Sequence, residues 1–546
     1  MKLFLTTSLL FATTFMLAQA PSWDWALGAG GTMNASGLKV AVDPLGNVYQ
    51  TGYYSSPTIT FGDSTLVHAL PPNTERIFLA KYDPQGELLW VRQPGGYTSG
   101  EGLCVAADDS GNVVIGGYFQ GDQIGFGTVP LNGSSVDNDL FVVKYDADGD
   151  ALWGLSAGGM LGTAPEFVTD VCTDADGNVL FTGYSSSDDL IIGGVTLSNP
   201  GPNQSFLVKL DPMGTALWVR GCYGTCSHQS TSVAVDPAGN AYLSGWFFNS
   251  PLTYDGVATA TASGYDGYLF KFTPDGDALW AKNIAGIADE EIKDITADGT
   301  GHIYAVGTTE SPLVHFDGLQ VNDPGISSSF IARYDTAGTV EWARVLSDTT
   351  WIWDVSCDDL GNSFIAGSFR SDAIIIDDDT LLNAGMHNTY VAAYDATGAA
   401  QWTAQVEGGW VVCQGIAAND SGDVYLSGYF SNGNALCGTI PVVQAVPGSI
   451  GNVLLAKLHA PVIATEVTAS ERTREMLYPN PTAGRLSVVE PAFANSTFTV
   501  LDAAGHVALT GTLHSGTVDV RSLEPGLYIL RCVRNGHLAW MTFVRE

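Results

Sequence analysis

"DADGDALW", residues 146–153, sets aspartates around a glycine, a pattern suited to holding a hard cation. Whether it binds or turns decides the fold. A calcium loop of the helix-loop-helix kind carries glycine at its sixth position and glutamate at its twelfth, and neither is present here. Asp146 followed by Gly149 instead fits a type I turn closed by a glycine bulge between antiparallel strands.

The stretch recurs. "IFLAKYDPQGELLW" (77–90), "LFVVKYDADGDALW" (140–153), "SFLVKLDPMGTALW" (205–218), "YLFKFTPDGDALW" (268–280), "FIARYDTAGTVEW" (330–342) and "TYVAAYDATGAAQW" (389–402) align in register. Across them the aspartates come and go, whereas the glycine and the final tryptophan persist. A cation site needs its carboxylates in fixed number; a turn needs only a glycine in the left-handed region. The opening stretch turns a corner.

A second signature alternates with the first: a β-branched run, D-x-x-G-N, then an alternating strand ending in glycine, as in "VAVDPLGNVYQTGYY" (40–54). Its turn glycines are Gly46, Gly111, Gly177, Gly239, Gly301, Gly361 and Gly422, spaced by 65, 66, 62, 62, 60 and 61 residues. Each repeat therefore supplies four short strands, with a loop such as "ITFGD" (59–63) or "IIIDD" (374–378) between the second and third. Four-stranded units repeated about every 60 residues predict a β-propeller. The seventh copy runs through Lys457 in "NVLLAKLHAPV" (452–462) and stops, without a fourth strand. "WDWALGAGG" (23–31) matches the missing strand, and Trp25 precedes Trp90 by 65 residues. The expected ring is thus seven-bladed and closed by the N-terminal strand, which removes the open ends. Its structural tryptophans are Trp25, Trp90, Trp153, Trp218, Trp280, Trp342 and Trp402.

The chain has 546 residues, with Lys+Arg 22 against Asp+Glu 57 and a formal charge of −35. That field disfavours nucleic acid and anionic membranes. "MKLFLTTSLLFATTFMLAQA" (1–20) reads as a secretory signal, too short and wrongly flanked for a membrane span. Cleavage after Ala20 would leave Pro21 next, which disfavours that site, so cleavage after Ala18 is the alternative. No later stretch is apolar enough to span a bilayer. Of the eight cysteines, Cys104, Cys172, Cys357 and Cys413 sit in strand-like contexts, while Cys222 and Cys226 are close enough for a short loop disulfide.

Catalytic signatures are sparse. "GLSAG" (154–158) matches G-x-S-x-G but follows a strand with no helix after it, which that elbow requires. The nine histidines are scattered, and no carboxylate pair stands out as an acid/base couple. Two features carry a binding reading. Aromatics follow the glycine of the second strand, and alternation sends Tyr53, Tyr118, Tyr184, Trp246 and Tyr429 to one face, where they pack between blades or ring one mouth of the torus. The acidic segments "ADEEIKD" (288–294) and "IIDDDT" (375–380) read as surface loops, with Asp377, Asp378 and Asp379 as calcium candidates.

The repeat over 22–460 resembles the seven-bladed β-propeller repeat (SBBP) family of secreted bacterial proteins. After a polar linker (461–475), residues 476–546 form short alternating runs that predict a small, Ig-like β-sandwich. They resemble the type A C-terminal sorting domain of the type IX secretion system, through Tyr478-Pro479-Asn480-Pro481, Gly484, the hairpin from Asp502 to Gly505, and Leu523, Gly526 and Tyr528. The family's lysine before the last strand is replaced by Met541-Thr542, which bears on the mode of anchoring. The resemblance implies a type IX secretion partner and export through the periplasm of a Gram-negative bacterium to the outer surface or the medium. The expected organisation is a signal (1–20), a propeller (21–460), a linker and a sorting domain. The expected function is non-catalytic binding or adhesion with a glycan or protein ligand. A polysaccharide lyase or hydrolase, or a passive coat protein, is the alternative.

Overall fold

The Asp146 carbonyl accepts the Gly149 amide at 3.0 Å, and its own N–H donates to the Asp150 carbonyl at 2.9 Å. Its Oδ1 accepts the amides of Asp148 at 3.0 Å and Asp150 at 2.9 Å. Gly149 stands at φ +82°, where a side chain would be strained. In this computed structural model the carboxylate is occupied by its own backbone, and a register shift after Lys144 marks the bulge. The structure describes residues 21–460, apart from 69–70, 72–73, 97, 135–136, 159–163, 200, 223, 263, 324, 326 and 347–348. Beyond these it describes 477–478, 482, 484–488, 497–501, 507–513, 517–534 and 537–545. The signal at 1–20, the linker at 461–475, Pro479, Asn480, Pro481 and the hairpin at 502–505 lie outside the described residues.

The fold is all-β and β-propeller-like. Antiparallel ladders join Ala35–Val42, Val48–Tyr54, Arg76–Tyr82 and Leu88–Arg92 into a first four-stranded unit. Five units of the same order follow, beginning at Ser99, Glu166, His228, Glu290 and Thr350. In the last set, Ala400–Ala418 is one continuous strand that ends the sixth unit and begins the next. Asp423–Cys437 and Asn452–His459 continue that seventh set, and Ser22–Gly30 pairs antiparallel to Asn452–His459 as its outer strand.

Apolar cores lie between successive units. Tyr49 and Ile77 pack with Ile115 and Phe141, and Val114 and Val142 pack with Phe181 and Val208. The same pattern runs onward to Phe364 and Val391 against Leu426 and Leu454. Tyr425 and Leu455 of the seventh set then share a core with Val48 and Phe78 of the first.

The two repeat signatures meet in buried ion pairs. The aspartate of D-x-x-G-N folds onto its own turn, as Asp108 does with the Ser110 and Asn112 amides. Its second oxygen faces the third-strand lysine: Lys144–Asp108 and Lys209–Asp174 at 2.9 Å, Lys271–Asp236 at 3.6 Å. Arg333 does the same for Asp298 at 3.3 Å, and unit seven swaps the turn residues but keeps Lys457–Asp423 at 3.0 Å. Unit six has Ala393 in the lysine register. There burial pushes Asp358 up to about 6, whereas hydrogen bonds and the cations draw Asp108 and Asp174 down against burial.

Three sequence expectations are corrected. The segment between second and third strands is a hairpin rather than a loop, for example Thr58–Phe61 with Ser64–Val67. It leans on the preceding unit's outer strand, as Gly30 opposite Thr60 illustrates. "ADEEIKD" is no surface loop: Glu290–Ala297 is the fifth unit's first strand, with Glu290 and Asp294 buried. Cys222 and Cys226 are both free and buried.

In the C-terminal part, Leu477–Tyr478, Arg485–Val488 and Thr517–Asp519 form one sheet. Val507–Thr512, Thr497–Leu501, Gly526–Arg534 and His537–Arg545 form another. Leu486 and Val518 from the first share a core with Val500, Leu530 and Phe543 from the second. Tyr528 is buried, its hydroxyl donating to the Glu524 carbonyl at 2.9 Å; Gly484 lies in the bend before Arg485, and Gly526 begins its strand.

Candidate ligand-binding face and the central charge cluster

Each first strand carries a bulge midway, as between Gly102 and Cys104. The opposed second strand answers with glycine, because a Cβ on Gly117 would stand 2.0 Å from the Glu101 carbonyl oxygen. The residue after that glycine turns to one face, and the next turns into the core. Tyr53, Tyr118, Tyr184, Trp246 and Tyr429 are all half-buried at this position, while Tyr54, Phe119, Phe247 and Phe430 behind them are fully buried.

The first-strand partners in register are Ser36, Glu101, Phe167, Gln229 and Val412. Phe167 bridges Tyr118 and Tyr184, with ring centroids 5.1 Å from each. Trp246 packs edge-on against Tyr265 at 5.0 Å, and the Trp410 indole N–H donates to the Tyr429 hydroxyl at 3.0 Å. Burial, then the neighbouring Glu75, pushes Glu101 up to about 7, opposed by a hydrogen bond from Tyr118. Burial and the same two carboxylates push Tyr53 up to about 12.

Units five and six break the series. Thr308 and Ser368 replace the aromatic, and their first-strand partners are Glu291 and Trp351. A cavity of about 250 Å³ opens there, lined by Asp289, Glu291, Lys293, Glu310, Trp351 and Trp353 among others. Beside it, the Arg370 guanidinium lies 5.2 Å from the Trp351 ring and 5.1 Å from the Trp410 ring. His387 stacks on Trp410 at 4.8 Å. "WIWDV" (351–355) was the signal in the sequence: two tryptophans in one first strand, where the first five repeats carry none and the seventh carries only Trp410.

Past the bulge, the first strands bring charges together. Lys39 contacts Asp354 and lies 4.0 Å from Asp294. Burial, then Asp294, pushes Asp170 up to about 6, against the pull of Lys39; burial raises Asp354 as well. Each of these aspartates also accepts an amide of the next unit: Val233 to Asp170 and Val355 to Asp294 at 2.9 Å, Ile416 to Asp354 at 2.6 Å. The cluster therefore ties units together across their inner strands.

Other candidates resolve into structure. Asp377 occupies a hairpin tip at φ +50°, its carboxylate accepting the Ala400 amide at 3.1 Å, and Asp379 accepts the Thr403 hydroxyl at 2.9 Å. Among the described residues, Asp24, Asp423 and His459 form one group with metal-ligand spacing, but the Lys457 ammonium already lies 3.5 and 3.0 Å from the two aspartates. Ser156 of "GLSAG" sits on strand Ala151–Ala157 and donates to the Asn132 carbonyl at 2.8 Å. A larger hollow of about 710 Å³ on the flank is walled by Trp218 and Pro274, which hydrogen-bond each other at the seam between units.

The tryptophans hold those seams. The indole N–H of Trp90 donates to Ala147 O at 3.0 Å, of Trp153 to Pro212 O at 2.9 Å, and of Trp342 to Ala396 O at 3.0 Å. Trp280 lies over Gly338, a Cβ on which would come 3.0 Å from its ring. Trp218, Trp342 and Trp402 are buried, whereas Trp25, Trp90, Trp153 and Trp280 are half-buried, with an indole edge in solvent.

Fold and tail together define an exported, all-β, propeller-like protein. Residues 476–543 match the secretion system C-terminal sorting domain family, so the chain carries the type IX signal for export to the cell surface or outside. Among the described residues no helix is long and apolar enough to cross a membrane. The chain is similar to an uncharacterized WD repeat-containing protein of Acanthamoeba polyphaga mimivirus, 26% identical over 443 residues, covering 65% of this chain and 31% of the relative. It is also similar to the regulatory protein FlaEY of Caulobacter vibrioides, 25% identical over 376 residues, covering 63% and 38%. It thus spans about a third of the length of the curated relatives it matches. Among solved structures, the Pan2 WD40 domain of Neurospora crassa aligns with 65% of this chain and 88% of its own at 9% identity and a TM-score of 0.33.

Proposed function

We propose that this chain is a non-catalytic binding protein of the cell surface or extracellular space. It is delivered by type IX secretion after removal of an N-terminal signal within 1–20. Its body is a seven-bladed propeller of the SBBP-repeat kind, closed by Ser22–Gly30, and its tail is an Ig-like sorting sandwich. The shared core between the seventh and first sets supports closure. One observation carries the binding reading: half-buried aromatics stand in one register in five units, and the face they line opens into a tryptophan-walled cavity where the other two depart from it. Repetition maintains a scaffold, and a localised departure from it is where a ligand is accommodated.

The test is thermal unfolding of the full chain against a panel of polysaccharides and peptides. A ligand at 100 times its Kd adds about 2.7 kcal/mol to the folded state. A shift abolished in Tyr118→Ser/Trp246→Ser, whose own melting is little changed, supports the reading. Equal shifts in both proteins, or no shift with any probe, refute it.

A second reading, a polysaccharide-acting enzyme, rests on Glu101 beside Glu75. The Gly100 amide donates to the Glu75 carbonyl at 3.1 Å, and burial, then Glu75, pushes Glu101 up to about 7. A carboxyl raised in this way suits a general acid. Release of reducing or unsaturated sugars that is lost in Glu101→Gln would establish it.

A further inference from the structure

The cavity between units five and six has an electrostatic character that narrows its ligand, if the binding reading above holds. Three carboxylates, Asp289, Glu291 and Glu310, face one ammonium, Lys293. Lys293 is paired with Glu291, two residues away on the same strand. Asp289 and Glu310 are exposed at the rim with no cation beside them in the lining, and the Glu310 amide donates to the Asp289 carbonyl at 2.9 Å, holding the two segments together. Trp351 and Trp353 complete the lining. Carboxylates and indoles lining one cavity suit a cation: aromatic rings attract positive charge, and the acids neutralise it.

The molecule already holds one cation against indole rings. Arg370, at the end of unit six's second strand, is set between Trp351 and Trp410 on the same face. At about 250 Å³ the cavity is smaller than the common range for small-molecule sites and has room for a single side chain. A neutral sugar would gain nothing from the surplus negative charge, and a uronic or sulfated polymer would be repelled by it and by a chain of net charge −35.

We propose that this cavity is an anchoring site for a basic side chain, lysine or arginine, presented by a protein partner. The surrounding half-buried aromatics would then contact the flanking peptide, and the net charge would speed encounter with a basic partner.

The experiment titrates the full exported chain with end-capped Gly-Gly-Lys-Gly-Gly, its arginine counterpart and its norleucine counterpart, read by tryptophan fluorescence. Cellohexaose and a glucosamine oligomer are run in parallel. The lysine and arginine peptides are expected to saturate, with the norleucine peptide at least about tenfold weaker. The exposed pair Asp289→Asn/Glu310→Gln is expected to lose about tenfold in affinity at unchanged melting temperature, and Trp353→Phe to alter the fluorescence response. Equal binding of the norleucine peptide overturns the proposal. So does lysine binding that the double variant leaves intact, since that is general attraction to an acidic surface. Preference for the glucosamine oligomer replaces the peptide with an amine-bearing glycan. Preference for cellohexaose refutes the cationic class while leaving the binding face standing, and silence from every probe refutes this anchor.

Discussion

Trp25 donates its indole N–H to the Pro84 carbonyl at 3.2 Å and lies over Gly86, a Cβ on which would come 3.0 Å from the ring. The first strand of the chain thereby grips the turn of the first unit, although it is hydrogen-bonded into the seventh set. Every turn glycine of the opening signature is required twice, by its positive φ and by the indole covering it; Gly149 beneath Trp90 is the case quoted first.

Trp402 is the exception. The turn it would grip is interrupted, because the seventh set takes its last strand from the other end of the chain, and its buried N–H finds no partner. Trp218→Phe and Trp402→Phe both lose buried packing, but Trp218→Phe should cost about 1 kcal/mol more, through the lost bond to the Pro274 carbonyl. Trp25→Ala, at a half-buried site, should cost about 2–3 kcal/mol, below the range for a fully buried tryptophan. Urea unfolding of the three variants checks the order.

Removing Lys39 should be among the most damaging single changes. Lys39→Met leaves Asp294 and Asp354 buried without their cation, at a cost of about 3–5 kcal/mol near neutral pH. The cost should shrink near pH 5, where Asp170 and Asp354, both raised, take up protons. Equal loss at pH 5 and pH 8, measured by denaturant midpoints, would contradict this assignment of charge.

The pH dependence of the parent follows from opposing groups. Glu101 and Glu290 are pushed up to about 7, chiefly by burial, so the folded state binds more protons and stability falls as pH rises from their unfolded values through 7. Asp298, held down to about 2 by hydrogen bonds that outweigh burial, contributes stability that is lost as pH falls from about 4 toward 2. The melting temperature should therefore peak near pH 5. Glu290→Gln should flatten the alkaline limb by roughly 1–3 kcal/mol.

Two aspartates at the same repeat position should respond oppositely. Asp358→Asn, in the unit where Ala393 stands for lysine, should be neutral or stabilising at pH 7.5, because it removes an uncompensated buried charge. Asp174→Asn strands Lys209, 2.9 Å away, and should lower the melting temperature sharply.

Cys222 and Cys226 should resist thiol reagents in the folded protein and react on unfolding. Burial raises both thiols, and Cys226 hydrogen-bonds the Ser250 carbonyl at 3.3 Å. Reductant should leave the melting curve unchanged; a shift would reveal a disulfide.

Much of this was written in the chain order. The period of Asp, Gly and Trp predicted the ladders, the turns and the pairing of Trp25's strand with the seventh set, because turn geometry and strand alternation are local constraints that leave a mark at every repeat. The second-strand aromatics were visible for the same reason, as was the sorting tail, whose motif residues are contiguous.

Tertiary structure decided what adjacent units do to one another. Nothing local to Lys39 indicates that it meets Asp294 and Asp354, more than 250 positions along the chain, and nothing local to Glu290 marks it as buried. "ADEEIKD" looked like surface because its polarity was legible and its neighbours were not. The cavity at Trp351 and Trp353 likewise arises where Thr308 stands in place of an aromatic beside residues of the next unit's first strand. A repeat specifies its own strands through short-range sterics. Burial, charge and cavities depend on which distant side chains close over it.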